Sequence, residues 1–472
     1  MRKTKIICTI GPSCESYEMM KKMVNSGMDC ARLNFSHGTH EEQLVKINNL
    51  KKVRKDLNIS LPILLDTKGP EIRLDKFEKG EVFVKEGATF TFHTKKIVLG
   101  NEKEVSVFCH QLYEDIKIND TILVDDGKVG FIVENLKDGE IITKVINPGR
   151  LSNRKSVNVP NVVINLPYIS ATDEADLLFG IKNDVDYIAA SFARTEKDMI
   201  ELRKFLNENG GEKIKIFAKI ENSEGVRNLD AIMRLVDGIM IARGDLGVEI
   251  PFRELPIVQK DIIKKCYRAG KHVITATQML ESMTKNPRPT RAEVSDVANA
   301  IYDGTTIIML SGETAVGDYP LESIKAMSEI AITTEKAINY KKRFENNHLD
   351  LGVAVMSAVA NAAVISANQI NADAIIAVTR KGVTAKTIAN YRPSSPIIAV
   401  TSDLKTYHQL RLAWNVNPLY FEAMDEVLEE AFDSVAKLAL EADLIKKRDL
   451  IVFAGGVKKS NLQTGILKIH KV

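Results

Sequence analysis

The chain has 472 residues, a length at which a single hydrophobic core no longer suffices, so several domains are expected. Hydrophobic residues make up 44% and charged residues 27%, and 65 Lys+Arg against 62 Asp+Glu give a net charge of +3. This balance predicts neither nucleic acid nor a membrane as a partner, and no apolar segment has the length of a membrane span or a secretory signal. The five cysteines lack a disulfide or metal-binding spacing, which favours reduced thiols and a cytoplasmic protein.

Short apolar runs typical of buried strands recur along the first two thirds of the chain. They are residues 5–10, 29–34, 62–66, 186–191, 215–220, 237–242, 272–277 and 306–311. Each run is followed by a segment with the periodicity of an amphipathic helix, for example residues 41–57 and 224–235. After the third run, a long interruption separates the strand from its helix. Eight strand-helix units with near-continuous apolar strands predict an α/β fold, a closed (β/α)8 TIM barrel whose active site lies at the carboxyl ends of the strands.

Two further units are predicted around this barrel. Residues 69–159 alternate apolar and polar positions, with hairpin signals at Asp126-Gly127 and Asp138-Gly139, and predict an inserted small β-barrel domain that can act as a lid. Helices and strands alternate again after residue 346, which predicts a C-terminal α/β domain. The predicted domains are residues 1–68 and 160–345 for the catalytic barrel, 69–159 for the lid, and 346–472 for the C-terminal domain.

Polar side chains gather at the predicted carboxyl ends of the barrel strands. They are Arg32, Asn34, Ser36, Asp66, Thr67, Lys219, Glu221, Arg243, Asp245, Thr277, Ser311 and Glu313. An ordinary salt bridge or a loop cap explains any one of these residues taken alone. Their convergence on one rim of the barrel is what predicts an active site.

Glu221 and Asp245 form a carboxylate pair on adjacent strand ends. Such a pair suits Mg²⁺, which takes one or two protein carboxylates and leaves positions for substrate oxygens, although an interstrand Lys-Glu bridge is a plain alternative. Lys219 lies two residues before Glu221, so on an extended strand both side chains point to the same side. An ammonium group there would stabilise a developing enolate or phosphoryl charge.

A second group of rim residues carries short oxygen-bearing side chains with one formal charge among them. These residues are Asn34, Ser36, Asp66 and Thr67. The set is better suited to a monovalent cation than to Mg²⁺, with turn capping as the alternative. No GxxxxGK[ST] or GxGxxG loop occurs, so side chains such as Arg32, Arg73, His37 and Lys155 would have to hold a nucleotide.

Several long motifs resemble those of pyruvate kinases and keep that family's order from Thr4 to Ala315. They read TKIICTIGP, ARLNFSHG, LDTKGPEIR, KIEN, ARGDLGVE, ATQMLESM, PRPTRAE and SGETA. The resemblance implies transfer of the phosphoryl group of phosphoenolpyruvate to ADP, which yields pyruvate and ATP. It also implies Mg²⁺ or Mn²⁺ and K⁺ as cofactors, a homotetramer, and activation by a phosphorylated metabolite.

The resemblance further assigns roles to residues that match the family's motifs. Arg32 and Arg73 would grip the transferring phosphoryl group, and Lys219 would stabilise its transition state. Glu221 and Asp245 would bind Mg²⁺. The substrate-binding set is Arg32, Lys219, the Gly244 amide, Asp245 and the Thr277 hydroxyl. The implied K⁺ ligands are Asn34, Ser36, Asp66 and Thr67. The implied nucleotide contacts are Asn34, Phe35, Ser36, His37, Arg73 and Lys155. Ser311 and Glu313 would serve proton delivery.

Two loops carry further expectations from the resemblance. Glu71 lies in the KGPEIR motif, where glutamate accompanies potassium dependence in this family, so K⁺ is expected to activate. The segment Thr379, Arg380, Lys381, Gly382, Val383 and Thr384 links a predicted strand to a helix, a position at which backbone amides bind phosphate, although a solvated turn fits equally well. In similar enzymes this loop receives the activator, and a second loop, here residues 455–463, closes over it.

Two other functions fit parts of the pattern. Another phosphoenolpyruvate-using barrel enzyme, such as an aldolase or a carboxylase, would share the carboxylate pair but would not require Lys219, Arg73 and the β insert together. An inactive ligand sensor would have lost residues such as Thr277, which is present. The chain ends at Val472, soon after the last predicted strand, so we expect neither an appended phosphohistidine-like domain nor an N-terminal helical extension.

Overall fold

The structure, a computed structural model, describes residues 2–346, 349, 354–422, 428–455 and 465–472, and its central unit is a closed barrel. Numbered along the chain, the barrel strands are β1 (Lys5–Thr9), β2 (Cys30–Asn34), β3 (Ile63–Asp66), β12 (Tyr187–Ala190), β13 (Lys215–Ile220), β14 (Gly238–Ala242), β15 (His272–Ala276) and β16 (Ile307–Leu310). Neighbouring strands pair in parallel, and β16 pairs with β1 to close the ring. This closed ring of eight parallel strands confirms the predicted TIM barrel. The strands are apolar on both faces because one face fills the barrel interior and the other packs against the helices.

Helices surround the barrel on the outside. They are α1 (Tyr17–Ser26), α2 (His40–Asp56), α4 (Ala171–Lys182), α5 (Glu196–Glu208), α6 (Ser223–Arg227), α7 (Leu229–Leu235), α8 (Arg243–Glu249), α9 (Leu255–Arg268), α10 (Arg291–Asp303), α11 (Gly312–Ala315), α12 (Pro320–Ala337) and α13 (Tyr340–Glu345), with a 3-10 turn at Glu281–Thr284. The single helix predicted at residues 224–235 is instead two helices. Asn228 separates α6 from α7, and its side chain donates to the Arg194 carbonyl at 2.9 Å, a competing bond of the kind that favours asparagine at helix ends.

The insert between β3 and α4 is built of strands, as predicted. They are β4 (Glu81–Val84), β5 (Thr89–His93), β6 (Glu104–Ser106), β7 (Thr121–Val124), β8 (Val129–Lys137), β9 (Glu140–Asn147), β10 (Gly149–Ser152) and β11 (Val157–Asn158), with one short helix, α3 (Gln111–Asp115). Six strands form one sheet and β10 pairs with β4 in a second, and both enclose a core that contains Phe90, Phe92 and Phe131. The Asp-Gly turns at 126–127 and 138–139 have positive φ, as tight hairpins require.

The C-terminal unit is an α/β sheet, also as predicted. Its strands are β17 (Ala374–Val378), β18 (Ile397–Thr401), β19 (Val416–Tyr420), β20 (Leu450–Gly455) and β21 (Ile466–Lys471). Its helices are α14 (Val355–Ile370), α15 (Val383–Asn390), α16 (Leu404–Leu410) and α17 (Leu428–Glu441). The strand order is β19-β18-β17-β20-β21, in which only β21 runs antiparallel. Of the described helices, none is long and apolar enough to span a membrane.

The C-terminal unit closes the amino end of the barrel, opposite the polar rim. Leu412 is fully buried among the residues that fill the barrel interior, including Phe217 and Met240. Lys405 donates to the Val185 carbonyl at 2.6 Å, and Arg411 lies 3.0 Å from the Asp29 carboxylate. This packing leaves the carboxyl ends of the strands free to form a site.

Candidate active site

Lys219 lies at the centre of a buried ionic cluster where β3, β12 and β13 end. Its Nζ contacts Asp66 Oδ1 at 3.0 Å, Glu221 Oε1 at 3.0 Å and Ser191 Oγ at 2.7 Å. Burial alone would lower the pKa of this ammonium group, but the charges of Asp66 and Glu221 outweigh burial and raise the pKa above its usual value. Lys219 is therefore a fixed positive charge inside the barrel mouth.

Asp66 is the acceptor that joins Lys219 to the neighbouring strands. Arg32 Nε donates to Asp66 Oδ2 at 2.6 Å, and Arg32 Nη1 donates to Thr9 Oγ1 at 2.9 Å. Burial would raise the pKa of Asp66, yet the charges of Arg32 and Lys219 hold that pKa below its ordinary value. Arg32 and Lys219 thus share one ionised carboxylate, and two cationic groups face the same space.

Ser191 completes this cluster, and the sequence did not single it out. Its hydroxyl accepts from Lys219, lies 3.2 Å from Asp66 Oδ1, and is 2.6 Å from the Thr67 carbonyl. Ser191 ends the apolar run 186–191 just as other rim residues end theirs, so its position was available as a signal. A lone serine after a strand is common, however, and only its contact with Lys219 distinguishes it.

The two candidate metal ligands differ in how they are held. Glu221 Oε2 accepts from the Phe192 amide at 2.6 Å, while its other oxygen pairs with Lys219. Burial raises the pKa of Glu221, Lys219 opposes that shift, and the charge of Asp245 adds to it. Asp245, in the first turn of α8, accepts no hydrogen bond and forms no ion pair within the described part of the chain.

The charge balance of this pair fits a divalent cation. Burial raises the pKa of Asp245, opposed by Lys219 and reinforced by the carboxylates of Asp126 and Glu71. A cation between Glu221 and Asp245 would relieve both penalties. Among the described residues, no group of three or more His, Cys, Asp or Glu side chains is arranged to hold a metal. A two-carboxylate site suits Mg²⁺, which keeps several water or substrate ligands.

Gly244 and Thr277 meet at the next position along the rim. The Gly244 amide donates to Thr277 Oγ1 at 2.9 Å, so a backbone donor and a hydroxyl lie side by side. Thr277 and Gln278 both have positive φ, 64° and 53°, a conformation that is strained for a β-branched residue and that clusters at functional sites. Together they form a small polar corner able to receive an anionic group.

Arg243 supports this strained corner. Its Nη2 donates to the Thr277 carbonyl at 2.7 Å, its Nε donates to the Ala276 carbonyl at 3.1 Å, and its Nη1 pairs with Asp296 at 2.7 Å. These partners engage all three guanidinium nitrogens, which makes Arg243 a rigid brace. The residue was predicted to be on the rim, and the structure shows it bonded to the protein around Thr277.

The loop after β2 carries the candidate K⁺ and nucleotide residues. Asn34 Oδ1 accepts from the Ser36 amide at 3.1 Å, and His37 is exposed. The Phe35 ring is buried, with its centroid 5.7 Å from that of Phe179, so only the backbone of Phe35 is available to a ligand. Thr67 Oγ1 accepts from the Ser191 amide at 3.1 Å, which places Thr67 next to the Lys219 cluster.

Arg73 and Lys155, from the insert, do not reach the cluster in this structure. Arg73 Nε donates to Glu71 at 2.8 Å and its Nη1 donates to the Arg154 carbonyl at 2.8 Å, while Lys155 pairs with Asp125 at 2.7 Å. Both side chains are half-buried and bonded within the insert. A cleft between the insert and the barrel has Glu71 and Asp245 among its lining residues, so the insert faces the metal pair.

Ser311 and Glu313 lie on the loop that follows β16. Glu313 is fully buried, and its carboxylate accepts from the Leu280 amide at 3.0 Å and from the Ser311 amide at 2.7 Å. Ser311 Oγ is buried without a hydrogen-bond partner among the described residues. Glu313 therefore ties two loops together, and the Ser311 hydroxyl is the freer of the two groups.

The candidate effector loop follows β17. Thr379 donates from its amide to the Val400 carbonyl at 2.9 Å, and the Arg380 carbonyl accepts from Thr401 Oγ1 at 3.2 Å. Gly382, with φ of 77°, is the N-cap residue of α15. β17 lies where the strand order β19-β18-β17-β20-β21 reverses, a position at which α/β sheets bind ligands. The second predicted loop, with Lys458 and Lys459, lies outside the described residues.

Comparison with known proteins identifies the family. A family model described as "Pyruvate kinase, barrel domain" matches residues 1–324, and one described as "Pyruvate kinase, alpha/beta domain" matches residues 357–470. The chain is 46% identical over 476 residues to a pyruvate kinase of Clostridium acetobutylicum, with 100% of both chains covered. It is 45% identical over 477 residues to a pyruvate kinase of Geobacillus stearothermophilus, covering 100% of this chain and 80% of that one.

A solved structure agrees with these relatives. A pyruvate kinase from Cryptosporidium parvum superposes with a TM-score of 0.94 at 40% sequence identity, covering 100% of this chain and 96% of that one. The matched regions include the polar rim, with its lysine, arginine and paired carboxylates, and the α/β unit. On these grounds the chain belongs to the pyruvate kinase family and is a phosphotransferase.

Proposed function

We propose that this enzyme transfers the phosphoryl group of phosphoenolpyruvate to ADP with Mg²⁺ or Mn²⁺ and K⁺ as cofactors, to give pyruvate and ATP. The observation that carries the proposal is the barrel mouth itself, where Lys219 contacts Glu221 beside the Asp245 carboxylate, which has no partner among the described residues. One fixed cation beside two carboxyl groups of raised pKa is the arrangement expected where a metal and a highly charged substrate meet.

The substrate carboxylate is proposed to bind at the Gly244 amide and the Thr277 hydroxyl. The Gly244 amide donates to Thr277 Oγ1 at 2.9 Å. An incoming carboxylate would accept from both, because the hydroxyl can rotate to donate. Arg243 keeps the Thr277 backbone in position while this exchange occurs.

The phosphoryl group is proposed to lie between Arg32 and Lys219. Both side chains are anchored on Asp66, so their donors are oriented before substrate arrives and cost little to reorganise. Glu221 and Asp245 would hold the divalent ion, which when bound neutralises charge on phosphate and enolate oxygens. The Lys219 ammonium adds positive charge beside the phosphoryl group in the transition state, when the bonds of that group to the donor and acceptor oxygens are weakest.

The monovalent cation is proposed to lie at Asn34, Ser36, Asp66 and Thr67. The nucleotide would contact the same loop through Asn34, Ser36, His37 and the backbone of Phe35. Arg73 and Lys155 would reach it from the insert. Because Arg73 pairs with Glu71 and Lys155 pairs with Asp125, this step requires the insert to move and these pairs to rearrange.

Protonation of the released enolate is proposed to involve the loop of Ser311 and Glu313. The Glu313 carboxylate is engaged by two backbone amides, whereas Ser311 Oγ has no protein partner among the described residues. A hydroxyl that is not engaged can pass a proton between a water molecule and the enolate carbon. Ser311 is thus the favoured group for proton relay, and Glu313 holds its backbone.

The proposal extends to regulation and assembly. A phosphorylated activator would bind at the loop Thr379–Thr384, where backbone amides at the start of α15 and the side chains of Arg380 and Lys381 suit phosphate. A cytoplasmic homotetramer is part of the proposal, on the resemblance of the sequence motifs to those of pyruvate kinases. The units themselves are proposed to divide as residues 1–68 with 160–345, 69–159, and 346–472.

The decisive assay is pyruvate formation from phosphoenolpyruvate and ADP with Mg²⁺, in matched K⁺ and choline buffers. The proposal predicts turnover in both, with clear stimulation by K⁺. If folded protein shows no turnover in the K⁺ buffer and none in the choline buffer, the reaction is rejected. Equal rates in the two buffers would reject the potassium site while leaving the reaction intact.

A further inference from the structure

Gln43 contacts the backbone of the loop that carries the proposed K⁺ and nucleotide residues. Its side chain is 2% exposed, and its Nε2 donates to the Asn34 carbonyl at 3.1 Å and to the His37 carbonyl at 2.9 Å. These two carbonyls flank the turn of Phe35 and Ser36. A single buried amide group thus joins both ends of a turn that carries proposed ligand groups, the backbone of Phe35 and the side chain of Ser36.

Helix α2 holds Gln43 in place independently of the loop. The helix begins with a capping box, in which Thr39 Oγ1 accepts from the Glu42 amide and the Glu42 carboxylate accepts from the Thr39 amide. The Gln43 amide then donates to the Thr39 carbonyl at 3.0 Å. Because the first turn of α2 is fixed in this way, the Gln43 side chain can act as an anchor for the loop.

The other amide atom of Gln43 supports the same conclusion. Its Oε1 is buried without a hydrogen-bond partner among the described residues, so every side-chain hydrogen bond that Gln43 makes goes to this loop. An apolar residue of similar size would fit that space without an unpaired oxygen. A glutamine there is explained by the two bonds that its Nε2 makes.

We propose that Gln43 is a positioning residue that sets the geometry of the Asn34–His37 loop for a monovalent cation and the nucleotide. Its two bonds direct the Asn34 and His37 carbonyls toward α2 and hold the side chains of Asn34 and Ser36 at the end of β2. The assignment of those side chains to K⁺ and nucleotide rests on the function proposed above. Partners that orient ligand residues typically change metal affinity or activity by about 10- to 100-fold when removed.

The test is Gln43→Met, which preserves length and volume but removes the N–H donors. The apparent K⁺ activation constant and the KM for ADP should each rise about tenfold. The KM for phosphoenolpyruvate should stay within about twofold, because Gly244 and Thr277 lie elsewhere on the rim. Amide hydrogen exchange of the peptide that contains residues 34–38 should become faster in the ligand-free protein. Gln43→His, which keeps an N–H donor, should show a smaller change in each of these quantities than Gln43→Met.

Gln409 offers a matched control at the opposite end of the barrel. It is 5% exposed, and its Nε2 donates to the Asp186 carbonyl at 3.1 Å and the Lys213 carbonyl at 2.8 Å. Gln409→Met removes the same kind of bonds and should lower stability without changing the K⁺ constant or the loop's exchange.

The outcomes separate the inference from the function on which it rests. Unchanged loop exchange and unchanged constants in Gln43→Met would overturn the inference, as would an equal rise of the K⁺ constant in Gln409→Met. If the wild-type enzyme shows no response to K⁺, the potassium site fails instead. Faster loop exchange with a raised KM for ADP in Gln43→Met would then still support the positioning role, and the absence of either would refute it.

Discussion

Replacing Lys219 by methionine should separate catalysis from binding at the barrel mouth. The ammonium group is the only charge that the substitution removes, while the length and apolar stem of the side chain are kept. Its Nζ bonds Asp66, Glu221 and Ser191, and its pKa is raised by the two carboxylates, so it is charged throughout the neutral range. Turnover should fall by at least about 10²- to 10³-fold, equivalent to about 2.7–4 kcal/mol of lost transition-state stabilisation.

The same substitution should also lower stability, and the size of that effect follows from burial. Removing one partner of a buried ionic group costs about 3–5 kcal/mol when the remaining charge is left unpaired. Asp66 retains Arg32 at 2.6 Å, and Glu221 can take up a proton because its pKa is already raised, so the loss should fall at the lower end. A folded but poorly active enzyme is therefore expected.

The assay combines steady-state pyruvate formation with Mn²⁺ binding and urea denaturation of the same preparations. Lys215→Met is the matched control, since Lys215 begins the same strand β13 and pairs with Asp237 at 3.1 Å, far from the rim. The control should keep turnover near that of the wild type. Turnover of folded Lys219→Met within about tenfold of wild type would refute the role given to this ammonium group.

Three further predictions concern metal, substrate and stability. Because the pKa values of Glu221 and Asp245 are raised, protons compete with the metal, and Mn²⁺ affinity measured by electron paramagnetic resonance should weaken as pH falls from about 8 to about 6. Carboxyl groups with a raised folded-state pKa stabilise the protein while protonated, and this stability is lost as pH rises and they ionise. Because Mg²⁺ would offset their charge, it should raise the melting temperature more at about pH 8 than at about pH 6. Equal shifts at the two pH values would contradict this. Arg243→Lys loses the planar guanidinium group that donates to the Thr277 carbonyl. The KM for phosphoenolpyruvate should therefore rise about tenfold, while the KM for ADP stays the same. An unchanged KM for phosphoenolpyruvate would refute the bracing role of Arg243. Leu412→Ala should cost about 2–5 kcal/mol in urea denaturation with little change in KM, because the side chain is fully buried in the barrel interior, and a cost below about 1 kcal/mol would contradict that packing.

The barrel could be predicted from the chain because its signal is local and repeated. Each apolar run spans one strand, and observed ends such as those of β13 and β14 lie within one residue of the predicted ends. The prediction of one helix over residues 224–235 was wrong, because the apolar periodicity continues across Asn228 although the helix does not. The bond from that side chain to the Arg194 carbonyl is tertiary, and no periodic pattern in the helix itself reveals it.

The site was predictable in its location and less so in its contacts. Parallel strands bring their carboxyl ends together, so Lys219 and Glu221 were expected to share a space with the other rim residues. Which partner each side chain takes depends on distances across the barrel, as with the contact between Lys219 and Ser191. The pairing of Lys155 with Asp125 depends on the hairpin of β7 and β8, so a residue of the insert cannot be assigned to the barrel mouth from its motif alone.

A crystal of the protein soaked with Mn²⁺ and phosphoenolpyruvate tests the central claim most directly. The claim is that Glu221 and Asp245 bind one divalent ion next to the Lys219 ammonium. The account predicts a single strong anomalous peak in the barrel mouth, coordinated by one oxygen of each carboxylate and by substrate oxygens. A peak bound by other residues, or a barrel mouth with ordered substrate and no metal between those two carboxylates, would contradict it.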